Sequence, residues 1–312
     1  MVSWENLVAA YRRCRRGKRS KPEAAQFDFA WESELLQLQR ELEDGVYEPG
    51  EYRNFYIHEP KRRKISAAPF RDRIVHHALV RVLEPIYEPR FLSDSYACRR
   101  GKGTHRAILR AQQYLRRHEY CLKTDIVRFF PNVDHEVLAQ IIRRRVCDRR
   151  ILALIDRIIA SGEGVLRDEG TNTYFPGDDL FAVSRPKGLP IGNLTSQFFA
   201  NVLLDPVDHF VKEDLRVPGY LRYADDLLLF GANKQQLWDW RDALGERLAA
   251  LRLRLHAGKT QVRPTSCKLK YLGLVLQRDG RRIQQSTLTR LSRRLRRWRW
   301  LWKHGVATVS YT

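Results

Sequence analysis

The tetrapeptide Tyr223-Ala224-Asp225-Asp226 lies between Leu221 and the apolar run Leu227-Leu228-Leu229-Phe230. No other segment constrains the fold as strongly. Apolar stretches on both sides of a short polar break read as a β-hairpin. Two adjacent carboxylates at its turn repel each other and need a cation to stay ionised. An Asp-Asp turn is also an ordinary hairpin device, so these four residues alone leave both readings open. A hard divalent ion such as Mg²⁺ suits the chemical reading, because it takes oxygen ligands and keeps positions open for phosphates.

A second acid strengthens that reading. Asp125 falls at the end of an apolar strand pattern, Tyr120 to Ile126, and is followed by Val127-Arg128-Phe129-Phe130. A lone acid in that place is ordinarily a cap or a surface residue. Paired with a distant Asp-Asp hairpin, it supplies carboxylates from different strands, as two-metal, in-line phosphoryl transfer requires.

Charge narrows the class of partner. The chain carries a formal net charge of +21, which favours a polyanion, either nucleic acid or an anionic membrane surface. Arg12, Arg13, Arg15, Arg16, Lys18, Arg19 and Lys21 crowd the N-terminal region, and residues 281–312 hold many arginines with no Asp or Glu. Two basic clusters bracketing a carboxylate site favour a nucleic-acid channel. No stretch approaches the roughly 18 apolar residues of a membrane span, and no apolar signal core opens the chain. The 5 cysteines (Cys14, Cys98, Cys121, Cys147 and Cys267) are scattered, with no CxxC pair. Neither a zinc site nor a disulfide framework is expected, and a reducing cytoplasm is the simplest location.

The 312 residues suffice for two or three subdomains around a sizeable core. Apolar periodicity predicts helices over 31–44, 72–88, 105–117, Asp134 to about Arg145, 149–161, 194–213 and 234–252. Residues 52–68 alternate and predict a hairpin around Pro60-Lys61-Arg62-Arg63. Residues 162–187 are rich in Gly, Asp and Pro and predict an irregular insertion. Tyr271 to Leu276 reads as a short strand or hairpin, and Thr287 to Trp302 as a basic helix. Trp298, Trp300 and Trp302 alternate on that helix and point in different directions. Some are expected in the core, others against a partner or stacked on bases. Carboxylates at strand ends within strand–helix–helix–hairpin–helix order describe an α+β fold rather than a doubly wound sheet.

The motifs, taken in order, carry a resemblance. Pro60 to Ile65 with Arg71 to Val75, Ser95 to His105, Asp125 to Phe130, Gly188 to Gln197, Tyr223 to Asp226, Gly258-Lys259-Thr260 and Tyr271-Leu272-Gly273 are all in register with a reverse transcriptase of the bacterial, group II intron-related kind. The similarity covers nearly all of residues 50–280. It implies an α+β right-hand polymerase, with fingers, a palm of antiparallel sheet backed by helices, and a short helical thumb. The expected division is a basic, helical extension over 1–50, fingers over 51–118 and palm over 119–280 with a fingers-like insertion at about 135–187. The thumb takes 281–312, without the maturase and endonuclease domains of intron-encoded relatives.

One motif narrows the family. Most reverse transcriptases carry Gln-Gly and then Ser-Pro where this chain has Ile191-Gly192 and then Ser196-Gln197. That variant resembles the reverse transcriptases of diversity-generating retroelements, which copy a template-repeat RNA with frequent errors opposite adenine. The resemblance implies two Mg²⁺ ions, with Mn²⁺ able to substitute, held by Asp125 and Asp225 with Asp226 and the Ile126 carbonyl close by. It places Lys61 and Arg63 on the incoming triphosphate, and Lys259 on the pyrophosphate as an acid or a neutralising charge. Gly192 permits close approach to the nucleotide, with Ile191 and Gln197 in the same motif. Phe130 falls at the steric gate that excludes a 2′-hydroxyl, and Tyr223, Arg293, Arg294, Arg296 and Arg297 face nucleic acid. Implied partners are template RNA, its cDNA, deoxynucleoside triphosphates and a pentameric, basic accessory variability protein, in a bacterial or phage-encoded cytoplasmic setting with no membrane. Two other readings stay open. One is another bacterial reverse transcriptase of the retron or phage-defence type, although the Asn-Ala-x-x-His and Val-Thr-Gly blocks of retron enzymes are missing. The other is a non-catalytic RNA-binding relative, against which the intact Asp125, Asp225 and Asp226 speak.

Overall fold

A computed structural model describes residues 1–58 and 62–305. Its elements, in chain order, are α1 (Trp4–Arg15), α2 (Pro22–Phe29), α3 (Trp31–Glu43), β1 (Arg53–Ile57), β2 (Arg63–Ala67), α4 (Phe70–Tyr87), α5 (Thr104–Arg117), β3 (Tyr120–Asp125), α6 (Phe129–Asn132), α7 (His135–Arg143) and α8 (Arg149–Ala160). They continue with α9 (Leu194–His209), β4 (Gly219–Tyr223), β5 (Asp226–Gly231), α10 (Lys234–Ala249), β6 (Gln261–Pro264), β7 (Leu269–Tyr271), β8 (Leu274–Leu276), β9 (Arg281–Ile283) and α11 (Gln285–Lys303).

The central sheet has the order β4-β5-β3-β6 and is antiparallel throughout. Strand alternation divides its side chains between two cores. Leu122, Tyr220, Leu227 and Leu229 enter the larger core with α4, α7, α8, α9 and α10. Cys121, Leu221, Leu228 and Phe230 enter a smaller one with α5 and β7. A sheet covered on both faces explains why β5 reads as an unbroken apolar run rather than an alternating one. The mixed helix and antiparallel sheet agrees with the α+β expectation.

Local chemistry sets the element ends. Asp134 caps α7 by accepting from the Val137 N–H at 3.0 Å, and Asp148 caps α8 through the Arg150 and Ile151 N–H groups. α9 carries Pro206, which lacks an N–H to donate, and its predicted continuation becomes one wide π turn over Phe210–Asp214. The 162–187 insertion holds only two 3₁₀ turns, as its Gly- and Pro-rich composition predicts. Glu59, Pro60 and Lys61 lie outside the described residues, and with them the position expected for Lys61. All 5 cysteines are free. Among the described residues no helix is long and apolar enough to cross a membrane.

The basic tail differs from expectation. α11 forms as predicted, but none of its residues is buried, and Trp298, Trp300 and Trp302 are all exposed. The expectation that some belong to the core is overturned. Trp298 and Trp302 continue a stripe begun by Leu288, Leu291 and Leu295, at alternating three- and four-residue spacing. Among the described residues no buried surface meets that stripe. Trp300 stands on the other side and stacks on the His304 ring, centroids 4.3 Å apart.

Two histidines on α4 make the fold acid-sensitive. His76 is fully buried with Nδ1 unpartnered, and burial, reinforced by His77, lowers its pKa to about 3. Burial and then Lys18 and Arg13 lower His77 to about 4. Both are neutral when folded and take a proton when unfolded. Their stabilisation is therefore complete above pH 6.5 and is lost progressively as pH falls toward those values. The urea midpoint is expected to drop between pH 7.5 and pH 5, and the drop should be smaller in His76→Leu. A flat midpoint in the wild-type chain over that range would contradict the assignment.

Candidate active site

β3 and β5 pair so that Asp125 lies directly opposite Asp226, while Tyr223 of β4 faces Asp226 across the hairpin. Ala224 and Asp225 form the turn, with Ala224 at φ +54°, a left-handed conformation that a non-glycine residue adopts only when its surroundings fix it. The Ile126 N–H donates to the Asp225 carbonyl at 3.3 Å, stitching the end of β3 to that turn. The His256 N–H donates to the Asp125 carbonyl at 2.7 Å, and the Val127 N–H to the Arg254 carbonyl at 2.8 Å. Three separated segments thus meet at one place.

Asp125, Asp225 and Asp226 line a cleft of about 710 Å³ together with Arg63, Ile126 and Lys259. Lys123, Arg128, Arg263, Lys268 and Lys270 supply further positive charge to its wall. Lys259 Nζ is ion-paired with Asp125 Oδ2. Burial, then the nearby Asp125 charge, push the Asp225 carboxyl up to about 6, against the opposing pull of Arg63. Among the described residues no group of three or more His, Cys, Asp or Glu stands together as a metal cluster. Crowded carboxylates whose like charge raises one of them are nonetheless a donor set that a hard cation satisfies.

The other predicted residues fall on the segment beside this cleft. Arg128 takes φ +42° and turns the chain out of β3 into α6. Phe130 is half-buried, packs edge-on against Phe129, and accepts through its carbonyl from the Leu189 N–H at 2.8 Å. Further along, the Ile191 carbonyl accepts from the Ser66 N–H at 2.8 Å. Residues 188–193 therefore bridge α6 to β2. Gly192 has φ +115°, and a Cβ there would sit 2.8 Å from Ile65 Cγ2. The close approach visible at this glycine is thus to β2, a constraint separate from the nucleotide contact expected of it. Gln197 is exposed on the first turn of α9. Phe130, Ile191, Gly192 and Gln197 do not line the cleft itself. Tyr223 is half-buried, its hydroxyl 3.0 Å from Thr104 Oγ1. Arg293, Arg294, Arg296 and Arg297 are exposed on α11.

Two supports escaped sequence reasoning. Asn193 accepts from the Ala68 N–H at 3.1 Å and donates to the Ser66 carbonyl at 2.8 Å, which locks β2 to the 188–193 segment. Arg222 and Asp208 form a fully buried pair, joined by Tyr220 and Asn201. Removing one partner of such a pair strands a buried charge at a cost of about 3–5 kcal/mol. An arginine inside an otherwise apolar strand is a signal that could have revealed it.

Residues 57–276 match the family described as Reverse transcriptase (RNA-dependent DNA polymerase). The chain is 29% identical over 218 residues to Protein YkfC of Escherichia coli, an alignment covering 68% of this chain and 50% of that protein. It is 27% identical over 183 residues to the group II intron-encoded protein LtrA of Lactococcus lactis, covering 58% of this chain and 28% of LtrA. Nuclear intron maturase 1, mitochondrial, of Arabidopsis thaliana is 30% identical over 131 residues, covering 41% and 18% respectively. The chain thus spans half the length of one of these relatives and less of the others. The match over most of its length shows that it belongs to the reverse transcriptase family.

Proposed function

We propose that the chain is an RNA-directed DNA polymerase whose catalytic centre is Asp125, Asp225 and Asp226. The observation that carries this reading is the β3–β5 register, which brings the separated acids together on a basic cleft in a reverse transcriptase chain. Two bound Mg²⁺ ions, or Mn²⁺ in their place, would supply activation of the primer 3′-hydroxyl and charge for the leaving pyrophosphate. Asp125, Asp225, Asp226 and the Ile126 carbonyl would hold them. Arg63, with Lys61, grips the triphosphate. Lys259 exchanges its ion pair with Asp125 for a phosphate oxygen, where it neutralises or protonates the pyrophosphate. Phe130 closes the space beneath the sugar C2′ and selects deoxynucleotides. On this reading β1–β2 belongs to the fingers, the four-stranded sheet to the palm and α11 to the thumb. The setting is a bacterial or phage cytoplasm. Primer extension on an RNA template with and without Mg²⁺ separates this reading from that of a non-catalytic RNA-binding relative.

The finer reading is a diversity-generating retroelement enzyme that makes adenine-mutagenic cDNA from a template-repeat RNA with a pentameric, basic accessory protein. It rests on Ile191 and Gln197 in the 188–197 motif. A glutamine at the first position can hydrogen-bond near the incoming nucleotide, whereas apolar, β-branched Ile191 cannot. Losing about 1.4 kcal/mol of the difference between right and wrong pairing raises error about tenfold, the scale of one hydrogen bond. The backbone bond from Ser66 to Ile191 supports the segment independently of that side chain, so Ile191→Gln is a clean probe. It is expected to lower misincorporation opposite template adenine by about threefold to tenfold, and more than opposite other bases. Deep sequencing of cDNA made by both proteins on one RNA measures it. Equal adenine error rates would move infidelity to the RNA or the accessory protein.

A further inference from the structure

The buried Arg222–Asp208 pair lies beneath the acidic turn, and Arg222 reaches the turn's backbone at Ala224. β4 alternates, so Tyr220 and Arg222 share the face covered by α9. On that face Arg222 Nε donates to Asp208 Oδ1 at 2.7 Å and Nη2 to Oδ2 at 2.6 Å, a two-pronged contact. Tyr220 donates to the same Asp208 Oδ1 at 2.7 Å. The remaining nitrogen, Nη1, donates to Asn201 Oδ1 at 3.0 Å and to the Ala224 carbonyl at 3.4 Å. Asn201 is itself held by donating to the Ala97 carbonyl at 3.0 Å. The backbone of Arg222 is equally fixed: its N–H donates to the Asp94 carbonyl at 3.0 Å, and its carbonyl accepts from the Tyr96 N–H at 3.0 Å.

We infer that Arg222 is a positioning residue that holds the Ala224–Asp225 peptide and so aims the Asp225 carboxylate into the cleft. The inference rests on the proposed role of Asp225. Ala224 sits in the left-handed region, where a side chain is disfavoured by about 1–2 kcal/mol, so the turn needs an external anchor. The guanidinium supplies one because its fork is rigid and all three of its nitrogens are used at once. A lysine ammonium can face Asp208 but cannot reach Asp208, Asn201 and Ala224 in the same geometry. The pair is costly to bury and is a weak source of net stability. Its geometric value lies in a turn that keeps one orientation while substrate enters and leaves.

The test uses two variants of the full chain. Arg222→Lys keeps the charge opposite Asp208, and Asp208→Asn/Arg222→Met removes both charges together. Each is expected to stay folded by circular dichroism, with the KM for deoxynucleotide and the affinity for an RNA–DNA duplex within about twofold of wild type. Their kcat is expected to fall about tenfold or more, since small misplacements of a reacting group have effects of this size or larger. Mn²⁺ binding, read by electron paramagnetic resonance without nucleotide, should weaken in both. A folded variant with wild-type kcat and Mn²⁺ affinity overturns the inference. Failure of both variants to fold also overturns it, because Arg222 is then a stability residue alone. Asp225→Asn, run alongside, keeps the two claims apart: if it retains activity, the metal-ligand reading fails whatever Arg222 does.

Discussion

Asp225→Asn is expected to reduce primer extension with Mg²⁺ by at least about a thousandfold, equivalent to about 4 kcal/mol of transition-state stabilisation. Asn matches Asp in shape but carries no charge, so it offers a cation one weak neutral oxygen in place of an anionic one. The same substitution should leave the apo protein as stable as wild type or more so at neutral pH. The sign follows from the carboxyl, which burial and then Asp125 push up to about 6. The folded state binds that proton more tightly than the unfolded chain does, so at pH 7 the ionised group opposes folding. Asn removes the opposition. Activity and stability therefore move in opposite directions, as expected where function holds like charges together. RNA affinity should change little, because a carboxylate makes no favourable contact with phosphate and the arginines proposed to hold the duplex stand on α11. Extension at a near wild-type rate would show that Asp225 holds no metal.

The acidic turn was legible because its pattern is local: a polar break between two apolar runs, with the chemistry in the break. β3 and its terminal Asp125 were legible for the same reason. The register that places Asp125 opposite Asp226 follows from the polymerase resemblance and not from any pattern in either strand. β6 was missed because Gln261-Val262-Arg263-Pro264 has too little apolar alternation to mark a strand, and it pairs along only one side. The Arg222–Asp208 pair was missed because its partners are separated along the chain and lie on different elements, joined only by packing. The tryptophans of α11 were misjudged for a related reason. Apolar spacing predicts which side chains share a face, but not whether any surface lies against that face. Gly192 shows the converse, since the structure adds an unforeseen neighbour, Ile65, to a position singled out for nucleotide approach.

Replacing Arg293, Arg294, Arg296 and Arg297 together by Gln is expected to weaken binding of an RNA–DNA duplex at all sequences and to flatten its salt dependence. Each phosphate contact contributes about 0.9 to the slope of log K against log salt for a B-form duplex. Four contacts would remove about 3.6 units, but helix geometry argues for fewer. At about 100° per residue, Arg293, Arg296 and Arg297 spread around one side of α11 and Arg294 lies toward its edge. Together they cover an arc of about 160°, wider than one backbone path can meet at once. This arc lies opposite the stripe of Leu288, Leu291, Leu295, Trp298 and Trp302. A loss of about two to three units is therefore expected, which at 0.1 M salt corresponds to about a hundredfold to a thousandfold in affinity. Fluorescence anisotropy across a salt series measures both quantities. Restoring Arg294 alone should recover less than restoring Arg293 and Arg297, which stand one turn apart on the same line. An unchanged slope would mean that this face meets solvent or protein, and the charge that makes residues 281–312 so basic would then serve a partner other than the duplex.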